Sequence, residues 1–337
     1  MNLLTASRVK AWTACPRLHH YRYELGLVPV AHESPALAFG TAIHAGLEAW
    51  WRTIGDGAPG DAFQAAAERA LVSLGDTAPE HDAARLIAML AGYDVRWQRW
   101  ACSTEVLGVE QEFRAPLRDP RTGKCAKTWQ LAGKLDALVQ LADGRVAIVE
   151  HKTTSRDPGP GSDYRAALTM DAQVSTYFDG AAALGHPADV CVYDVLVKPS
   201  QKPLTATANP VMKKDGTPRA GTRLSDESAD EYRERLIGVI SDDPERYLVH
   251  AEIVRMDTER AAHARDLWEV VHAIEHARTR AAAGALPPRH ASACFAHGSP
   301  CQFLDVCSGR ASADDATRYR RLPVHRELTT SDQENAA

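Results

Sequence analysis

The stretch LAGKLDALVQLADGRVAIVEHK, from Leu131 to Lys152, decides how the rest of the chain is interpreted. It reads as two short strands joined by a tight turn. Successive side chains of a strand point to opposite faces, so Glu150 and Lys152 share one face and His151 points to the other. The first strand carries a carboxylate, Asp136, among apolar neighbours. Two carboxylates and an ammonium at strand ends predict a metal site with an attached base or electrophile.

The turn between these strands determines which side chains face each other. A loop of only two residues, Asp143-Gly144, would place Asp136 opposite His151 and away from Glu150. A loop of three residues, 142–144, places Asp136 opposite Glu150. The third position of such a loop favours a left-handed residue, and glycine stands there. We therefore predict the register in which Asp136 and Glu150 are cross-strand neighbours.

Length and composition are those of an ordinary soluble globular protein. The 337 residues, 45% hydrophobic and 25% charged, are enough for one large domain or two smaller ones. No apolar run approaches the ~20 residues of a membrane span, and we expect no membrane association. The N-terminal stretch lacks the long apolar segment of a secretory signal, so a cytoplasmic location is the default expectation.

Basic residues are unevenly spread, although the net charge of −5 does not by itself indicate a nucleic-acid binder. They gather near the N-terminus (Arg8, Lys10, Arg17, Arg22), before the central hairpin (Arg114, Arg118, Arg121, Lys124, Lys127, Lys134) and in a later loop (Lys198, Lys202, Lys213, Lys214, Arg219, Arg223). A local basic patch can bind phosphate on an acidic protein because salt screens distant charges. Each cluster is equally compatible with a solvated loop. The loop at 198–223 is the better candidate for a phosphate contact.

Apolar periodicity predicts the order of secondary structure. We expect helices over 5–25, 36–52, 163–184, 226–240 and 257–284, two helices over 61–100 that separate near 77–79, and strands over 104–117, in the central hairpin and over 190–199. A three-stranded meander followed by a helix and a fourth strand predicts an α/β fold: a mixed central sheet flanked by helices, with added helices at both ends. The polar segment after about residue 312 is expected to be disordered.

Four of the seven cysteines form a sequence pattern of their own. Cys102, Cys125 and Cys191 are scattered, whereas one cysteine near the start and three near the end suggest a metal site: Cys15, Cys294, Cys301 and Cys307. Four thiolates suit a [4Fe–4S] cluster or structural zinc, and the paired knuckles common in zinc sites are absent. Such a centre would fasten the two ends of the chain together, so its binding energy would also be folding energy.

Asp136, followed by Glu150-His151-Lys152, resembles the signature of the PD-(D/E)XK nuclease superfamily. Further features are similar to its RecB-like exonuclease branch and the related CRISPR-adaptation nucleases. These are His44 in GTAIHAGLE, the QxxxY spacing from Gln173 to Tyr177, and the four cysteines. The resemblance covers roughly residues 5–310. It implies a restriction-endonuclease-like core in one domain over 1–312, with a helical insertion at about 56–102 and a polar tail over 313–337.

The resemblance also implies roles for individual residues. His44, Asp136, Glu150 and the main-chain carbonyl of His151 would bind Mg²⁺ or Mn²⁺, and Lys152 would be the catalytic lysine. Gln173 and Tyr177 would position DNA or support the site. Cys15, Cys294, Cys301 and Cys307 would hold a [4Fe–4S] cluster, with zinc as the alternative occupant.

The sequence leaves two possible roles open for several other side chains. Glu48 could orient His44, or lie in solvent. Glu110 or Glu112 on the preceding strand could add a carboxylate to the site. Aromatic residues near the basic clusters could stack on unpaired bases or belong to the core: Trp12, Tyr21, Tyr23, Trp50 and Trp51.

The resulting functional hypothesis is a metal-dependent deoxyribonuclease. The resemblance favours exonuclease action on single-stranded or end-containing DNA over sequence-specific cleavage, and nothing in the sequence recognisably reads base edges. Because the chain has no helicase motif, any unwinding would come from a helicase or recombinase partner. The alternatives are a DNA-binding subunit of a recombination or CRISPR-adaptation complex with weak or incidental cleavage, and a zinc-stapled structural protein.

Overall fold

A computed structural model describes residues 1–30, 35–296, 299–325 and 328. The strands are β1 (Asn2–Leu4), β2 (Leu27–Pro29), β3 (Glu105–Arg118), β4 (Cys125–Gln140), β5 (Val146–Thr154), β6 (Val190–Val197), β7 (Leu248–Ile253) and β8 (Tyr319–Arg321). The α-helices are α1 (Ala6–Ala14), α2 (Pro16–His19), α3 (Pro35–Gly55), α4 (Ala62–Leu74), α5 (Glu80–Ala101), α6 (Asp163–Thr169), α7 (Ala172–Ala183), α8 (Ala229–Asp242), α9 (Pro244–Tyr247), α10 (Asp257–Ala282) and α11 (Leu304–Cys307). A π-helical segment (His20–Glu24) and two short 3₁₀ segments (Pro59–Asp61 and Ala291–Phe295) complete the helical elements.

A six-stranded mixed sheet forms the centre of the molecule. β3 pairs antiparallel along nearly the whole of β4, while β1 and β5 pair with different ends of β4. Beyond β5 the sheet continues with β6, which is parallel to β5, and β7, which is antiparallel to β6. The expected mixed α/β architecture flanked by helices is therefore confirmed.

The register of the central hairpin is the predicted one. The paired residues run from Gln140 and Val146 to Ala137 and Val149, which places Asp136 opposite Glu150 one step further. At the turn the Leu141 amide donates to the Arg145 carbonyl at 2.8 Å, and the third loop residue, Gly144, has a φ of 89°. A left-handed backbone favours glycine because a Cβ would be strained there.

Alternation along the strands divides the core into two layers. The side chains of Ala137, Val139, Ala147 and Val149 pack with α3, α4, α5 and α8. Leu138 and Ile148 pack on the other face, with α7 and α10. The sequence reads as apolar throughout these strands because helices cover both faces of the sheet.

Two predicted helices are broken in the structure. The segment 5–25 is interrupted at Cys15, because Pro16 has no amide hydrogen to continue the helix and instead begins α2. The segment 163–184 is divided into α6 and α7 at Asp171, whose carboxylate accepts a hydrogen bond from the Gln173 amide and caps α7. Strands β1, β2, β7 and β8 are not among those predicted from the sequence. The alternating pattern of LVHAEI is the signal that indicates β7.

The ends of the chain meet in a small separate layer. β2 pairs antiparallel with β8, and Tyr21, Leu27, Phe303 and Tyr319 form a third apolar cluster. Residues 319–321 lie inside the expected polar tail and form β8. The prediction of disorder throughout that tail is therefore wrong for these three residues. Residues 326–327 and 329–337 of that tail lie outside the described residues. In the described parts of the chain, no helix has the length and apolar composition that crossing a membrane requires.

Candidate active site

The site lies where the hairpin strands stop pairing. Asp136 and Glu150 follow Ala137 and Val149, the last paired residues of β4 and β5, on the face covered by α7. The Asp136 carboxylate accepts a hydrogen bond from the His151 amide at 2.9 Å. The divergence of the strands therefore gives Asp136 a backbone partner on β5 and fixes its carboxylate beside Glu150.

A chain of hydrogen bonds joins β5 to α7. Lys152 Nζ donates to Glu150 Oε1 at 2.5 Å and to Gln173 Oε1 at 3.0 Å. Gln173 Nε2 lies 2.9 Å from Glu150 Oε1 and 2.6 Å from the Tyr177 hydroxyl. Four residues that the sequence singled out thus form one connected cluster. Gln173 and Tyr177 are four residues apart on α7, so their side chains lie on the same face of the helix and both reach the cluster.

His44 approaches this cluster from α3. Its Nδ1 lies 3.6 Å from Asp136 Oδ2, and its ring centroid is 6.0 Å from that of His151. Burial opposes the charged form of His44, but the nearby Asp136 and Glu150 outweigh burial and raise the pKa of His44 to about 9. The imidazolium in turn helps to hold the pKa of the buried Asp136 carboxyl well below its usual range.

Glu150 and Lys152 form a buried ion pair. Burial raises the pKa of Glu150, against the attraction of Lys152, whereas the Glu150 carboxylate outweighs burial and raises the pKa of Lys152. The raised pKa of Glu150 favours its neutral form, because burial penalises its charge. The raised pKa of Lys152 favours the charged pair, because the Glu150 carboxylate stabilises the ammonium. At 2.5 Å the charged pair is the state that the geometry favours. Glu150 Oε2 is buried and, within the described residues, accepts no hydrogen bond, so one carboxylate oxygen is free for a ligand.

A second buried network, which the sequence reading missed, lies on the opposite face of β5. Asp194 on β6 is fully buried and pairs with His151, whose Nδ1 is 2.9 Å from Asp194 Oδ2. The same oxygen accepts a hydrogen bond from the Tyr93 hydroxyl at 2.6 Å, and His250 Nε2 lies 3.3 Å from Oδ1. An acidic residue in the apolar run VCVYDVLV was the signal for this network.

Glu48 and Glu110, two other acidic residues considered for the site, have different partners. Glu48 accepts two hydrogen bonds from Arg52, at 2.9 and 3.1 Å, so its carboxylate is held by that side chain. Glu110 lies opposite Asp136 in the β3–β4 register, has a φ of 53° and forms an ion pair with Lys134. Burial and the charge of Asp136 raise the pKa of Glu110. Glu110 rather than Glu112 is therefore the carboxylate of β3 that borders the site.

The aromatic residues that had two readings belong to the core. Tyr21, Tyr23, Trp50 and Trp51 are at most 6% exposed, and Trp12 is partly buried against the α7–α10 layer. Trp50 and Trp51 pack edge to face with each other in the helical layer. The four buried rings therefore have no face available for an unpaired base, whereas Trp12 is partly exposed.

The donor atoms at the hairpin suit a hard divalent ion. Carboxylate oxygens and an imidazole nitrogen are ligands for Mg²⁺ or Mn²⁺, and the free oxygen of Glu150 borders them. Nevertheless, across residues 1–30, 35–296, 299–325 and 328 no three His, Cys, Asp or Glu side chains are arranged closely enough to hold an ion. Lys152 and His44 instead provide the positive charges beside the two carboxylates.

Comparison with protein families identifies the superfamily of the chain. The family model of the PD-(D/E)XK nuclease superfamily matches residues 3–308, nearly the whole chain. The chain belongs to the PD-(D/E)XK nuclease superfamily. Members of this superfamily are nucleases that typically use Mg²⁺ or Mn²⁺ and act on DNA, and the mixed sheet flanked by helices is consistent with their fold.

Other comparisons add little to the superfamily assignment. A search of curated proteins gave no match. One similar solved structure is described as "Crystal structure of SSO0001"; it is 12% identical, covers 76% of this chain and 84% of its own, and has a TM-score of 0.28. A likeness this low carries no argument about function.

The four cysteines of this PD-(D/E)XK protein line one cavity where the chain ends meet. All are free thiols, and the Cys301 amide donates to the Cys294 carbonyl at 2.7 Å. Burial raises the pKa of the Cys301 thiol, and its three cysteine neighbours add to this effect. The thiols thus share one cavity, although they too are not among groups arranged closely enough to hold an ion in the described residues.

Proposed function

We propose that this nuclease is an exonuclease of the RecB-like branch, acting on single-stranded DNA or on free DNA ends. The observation that carries the proposal is the connected cluster of Glu150, Lys152, Gln173 and Tyr177 beside the His44–Asp136 pair. Superfamily membership supports metal-dependent nuclease activity. The resemblance of the His44, QxxxY and cysteine motifs to those of RecB-like proteins supports the branch and the preference for ends.

The residues of the cluster take separate roles in this proposal. Asp136, Glu150, His44 and the His151 carbonyl would hold the divalent ion, which would supply positive charge that polarises a phosphodiester. Lys152, positioned by Glu150 and Gln173, orients the attacking water or faces the negative charge that builds on the phosphate. Tyr177 holds the Gln173 amide, so that Gln173 keeps Lys152 in place.

Digestion of end-labelled DNA tests this function. Single-stranded and blunt duplex substrates are incubated with Mg²⁺ or Mn²⁺ and wild-type protein, Asp136→Ala or Lys152→Ala. We expect products that shorten from an end with wild type, and at least ~100-fold slower cleavage with either variant. Asp143→Ala, which removes an exposed carboxylate from the same hairpin, is the matched control and should retain activity. Equal rates in all four proteins would overturn the catalytic assignment.

The substrates also separate the alternatives. Cleavage of closed circular single strands would contradict exonuclease action, and preference for RNA of the same sequence would contradict the DNA assignment. Tight DNA binding without metal-dependent cleavage would favour the alternative, a DNA-binding subunit of a larger complex.

We further propose a [4Fe–4S] cluster held by Cys15, Cys294, Cys301 and Cys307. Their shared cavity and thiol chemistry support it, since four thiolates are the usual ligands of such clusters. Its role would be to fasten α1 and α2 to the C-terminal segment. Zinc is the alternative occupant.

Metal analysis of anaerobically purified protein tests the centre. We expect iron and sulfide together with a brown colour, and Cys301→Ser should lower iron content and solubility together. Cys102→Ser, at an exposed cysteine far from the cavity in sequence, should change neither. Zinc in place of iron, or a soluble Cys301→Ser protein without iron and with unchanged stability, would contradict the proposal.

A further inference from the structure

A hairpin-like loop, residues 204–224, lies between β6 and α8, and we call it the arm. Its two sides are joined by hydrogen bonds from Thr207 to Arg223, from Arg219 to Val211 and from Lys213 to Thr217. Every residue from 208 to 221 is exposed. The arm is thus an organised extension whose side chains face solvent.

The root of the arm is firmly anchored to the helical layer. The Glu227 carboxylate accepts hydrogen bonds from the Leu204 amide at 2.8 Å and from Arg235 at 2.6 and 2.7 Å. Asp226 accepts one from the Ala206 amide at 2.7 Å. Both acidic residues next to the arm are therefore occupied with its backbone or with α8.

The loop that leads into the arm begins at the carboxyl ends of β5 and β6, the end of the sheet where the candidate active site lies. The Lys198 amide donates to the carbonyl of Thr154, two residues beyond Lys152, at 2.7 Å. Lys198 Nζ also lies 4.4 Å from the centre of the Phe39 ring. Phe39 precedes His44 by five residues of α3, which is a rise of ~7.5 Å. Two independent contacts thus connect the start of this loop to elements that carry catalytic groups.

Charge is strongly segregated into this loop. Residues 198–223 contain six Lys or Arg and a single acidic residue, Asp215, in a chain whose net charge is −5. The Asp215 carboxylate is occupied by the amide and hydroxyl of Thr217 at 2.9 and 2.6 Å. In the described residues no ion pair involves Lys213, Lys214 or Arg219. Their charges are available to a phosphate backbone, which attracts such clusters strongly.

Apolar side chains at the same tip point to a contact surface. Val211 is 50% exposed and Met212 is 41% exposed, next to the two lysines. Neighbouring apolar and basic groups on an extended arm fit a strand of DNA, which presents both phosphates and base faces.

We propose that the arm binds the phosphate backbone of the DNA strand that leads into the active site, through Lys213, Lys214 and Arg219. This inference rests on the proposed function, because it takes DNA as the substrate. Each side of the arm spans at most ~35 Å, so it can follow several phosphates away from the scissile one.

Binding measured without cleavage tests the arm. The triple variant Lys213→Ala/Lys214→Ala/Arg219→Ala and wild type are titrated with a fluorescein-labelled 30-nucleotide single strand in EDTA, over a range of salt. We expect the Kd to rise at least ~10-fold and the slope of log K against log salt to fall by about 2, for three lost phosphate contacts. A triple Arg69→Ala/Arg99→Ala/Arg280→Ala variant removes equal charge from exposed helix positions and should stay within ~2-fold of wild type.

Kinetics with metal distinguish the possible failures. The arm variant should raise KM for the 30-nucleotide strand and leave kcat/KM for a four-nucleotide strand unchanged, because the short strand does not reach the arm. If wild type cleaves DNA and the arm variant matches it in Kd, salt slope and KM, the arm proposal fails alone. If binding depends on the arm but no cleavage occurs, the proposed nuclease function fails alone.

Discussion

At the scale of single residues, His151 connects the two faces of the sheet. Its amide holds Asp136 on the face of the candidate active site, and its imidazole pairs with the buried Asp194 on the other face. Burial opposes the Asp194 charge, but His250 and His151 outweigh it and hold the pKa of this carboxyl well below its usual range. Asp194 therefore positions residue 151 through the His151 side chain, although Asp194 itself is fully buried.

Removing this charge should weaken both stability and metal binding. With Asp194→Asn, a neutral amide faces two buried imidazoles, and we expect a loss of about 3 kcal/mol in the free energy of unfolding, measured in urea. Mn²⁺ affinity should also fall, because the His151 backbone loses its anchor. Asp189→Asn, at an exposed acceptor just before the same strand, should cost about 1 kcal/mol or less. Equal losses in the two variants would contradict a special role for Asp194.

The pKa of His44 predicts how metal binding depends on pH. Its pKa is raised to about 9, so at neutral pH the imidazole must lose a proton before it can bind a metal. Mn²⁺ affinity, measured by titration calorimetry, should therefore rise up to ~10-fold per pH unit between pH 7 and 9 on account of His44. His44→Ala should remove this part of the pH dependence, and an identical pH profile in the variant would argue against His44 as a ligand.

The same group affects the metal-free protein in the opposite direction. A raised pKa means that the folded state binds the proton more tightly than the unfolded state, whose histidine titrates near 6.5. Stability from the His44–Asp136 pair is fully present below pH 6.5 and is lost as the pH rises through about 9. In EDTA, wild type should lose more stability over this range than His44→Ala.

At the scale of elements, the contact of α7 with the sheet places Gln173 and Tyr177. Gly180 on α7 and Gly133 on β4 both pack against the buried ring of Phe113. A Cβ would lie 2.6 Å from that ring at Gly180 and 2.7 Å at Gly133. The absence of side chains lets the helix approach closely enough for its polar residues to reach Lys152.

Adding one methyl group should therefore move the helix. We expect Gly180→Ala to cost about 1–3 kcal/mol of stability and to lower kcat/KM, since the shift carries Gln173 away from Lys152. Gly238→Ala on α8 is the control: a Cβ there meets nothing within 4 Å, and helix propensity should stabilise the protein by up to ~1 kcal/mol. Stability comes from chemical denaturation and kcat/KM from the cleavage assay. Unchanged activity in Gly180→Ala would show that α7 tolerates the shift.

At the scale of the whole molecule, charged side chains connect the N-terminal helices to α10. Glu24 accepts hydrogen bonds from Arg8 at 2.7 Å and from Arg278 at 2.8 Å. Both guanidinium groups lie over the ring of Trp129 on β4, at 4.6 and 4.9 Å. This cluster, together with the cysteine cavity, holds the two ends of the chain against the sheet.

Neutralising the shared carboxylate should loosen both ends. Glu24→Gln leaves the buried Arg8 guanidinium without its anionic partner Glu24, whereas Arg278 retains its ion pair with Glu275. We expect a loss of about 3 kcal/mol of stability and faster proteolysis near the N-terminus. Glu269→Gln, at an exposed position of α10, should leave the melting temperature and the cleavage pattern unchanged. A Glu24→Gln protein as stable as wild type would contradict this role.

The sequence by itself predicted four of the six strands of the central sheet, β3 to β6, and most of the candidate site. Turn chemistry and side-chain alternation depend on neighbouring residues, so Gly144 and the hairpin pattern sufficed for the register of Asp136 and Glu150. Helical spacing likewise joined Gln173 to Tyr177. Local rules of this kind act over a few residues, which is why they can be read from the chain directly.

Only the tertiary structure decided the network behind the site and the path of the chain ends. Asp194 meets Tyr93 across 101 positions in sequence, and Glu24 meets Arg278 across 254. No periodicity relates such residues, because their contact depends on how whole helices pack on the sheet. A buried carboxylate is stable only where the fold brings donors to it, and that arrangement exists only once the layers have assembled.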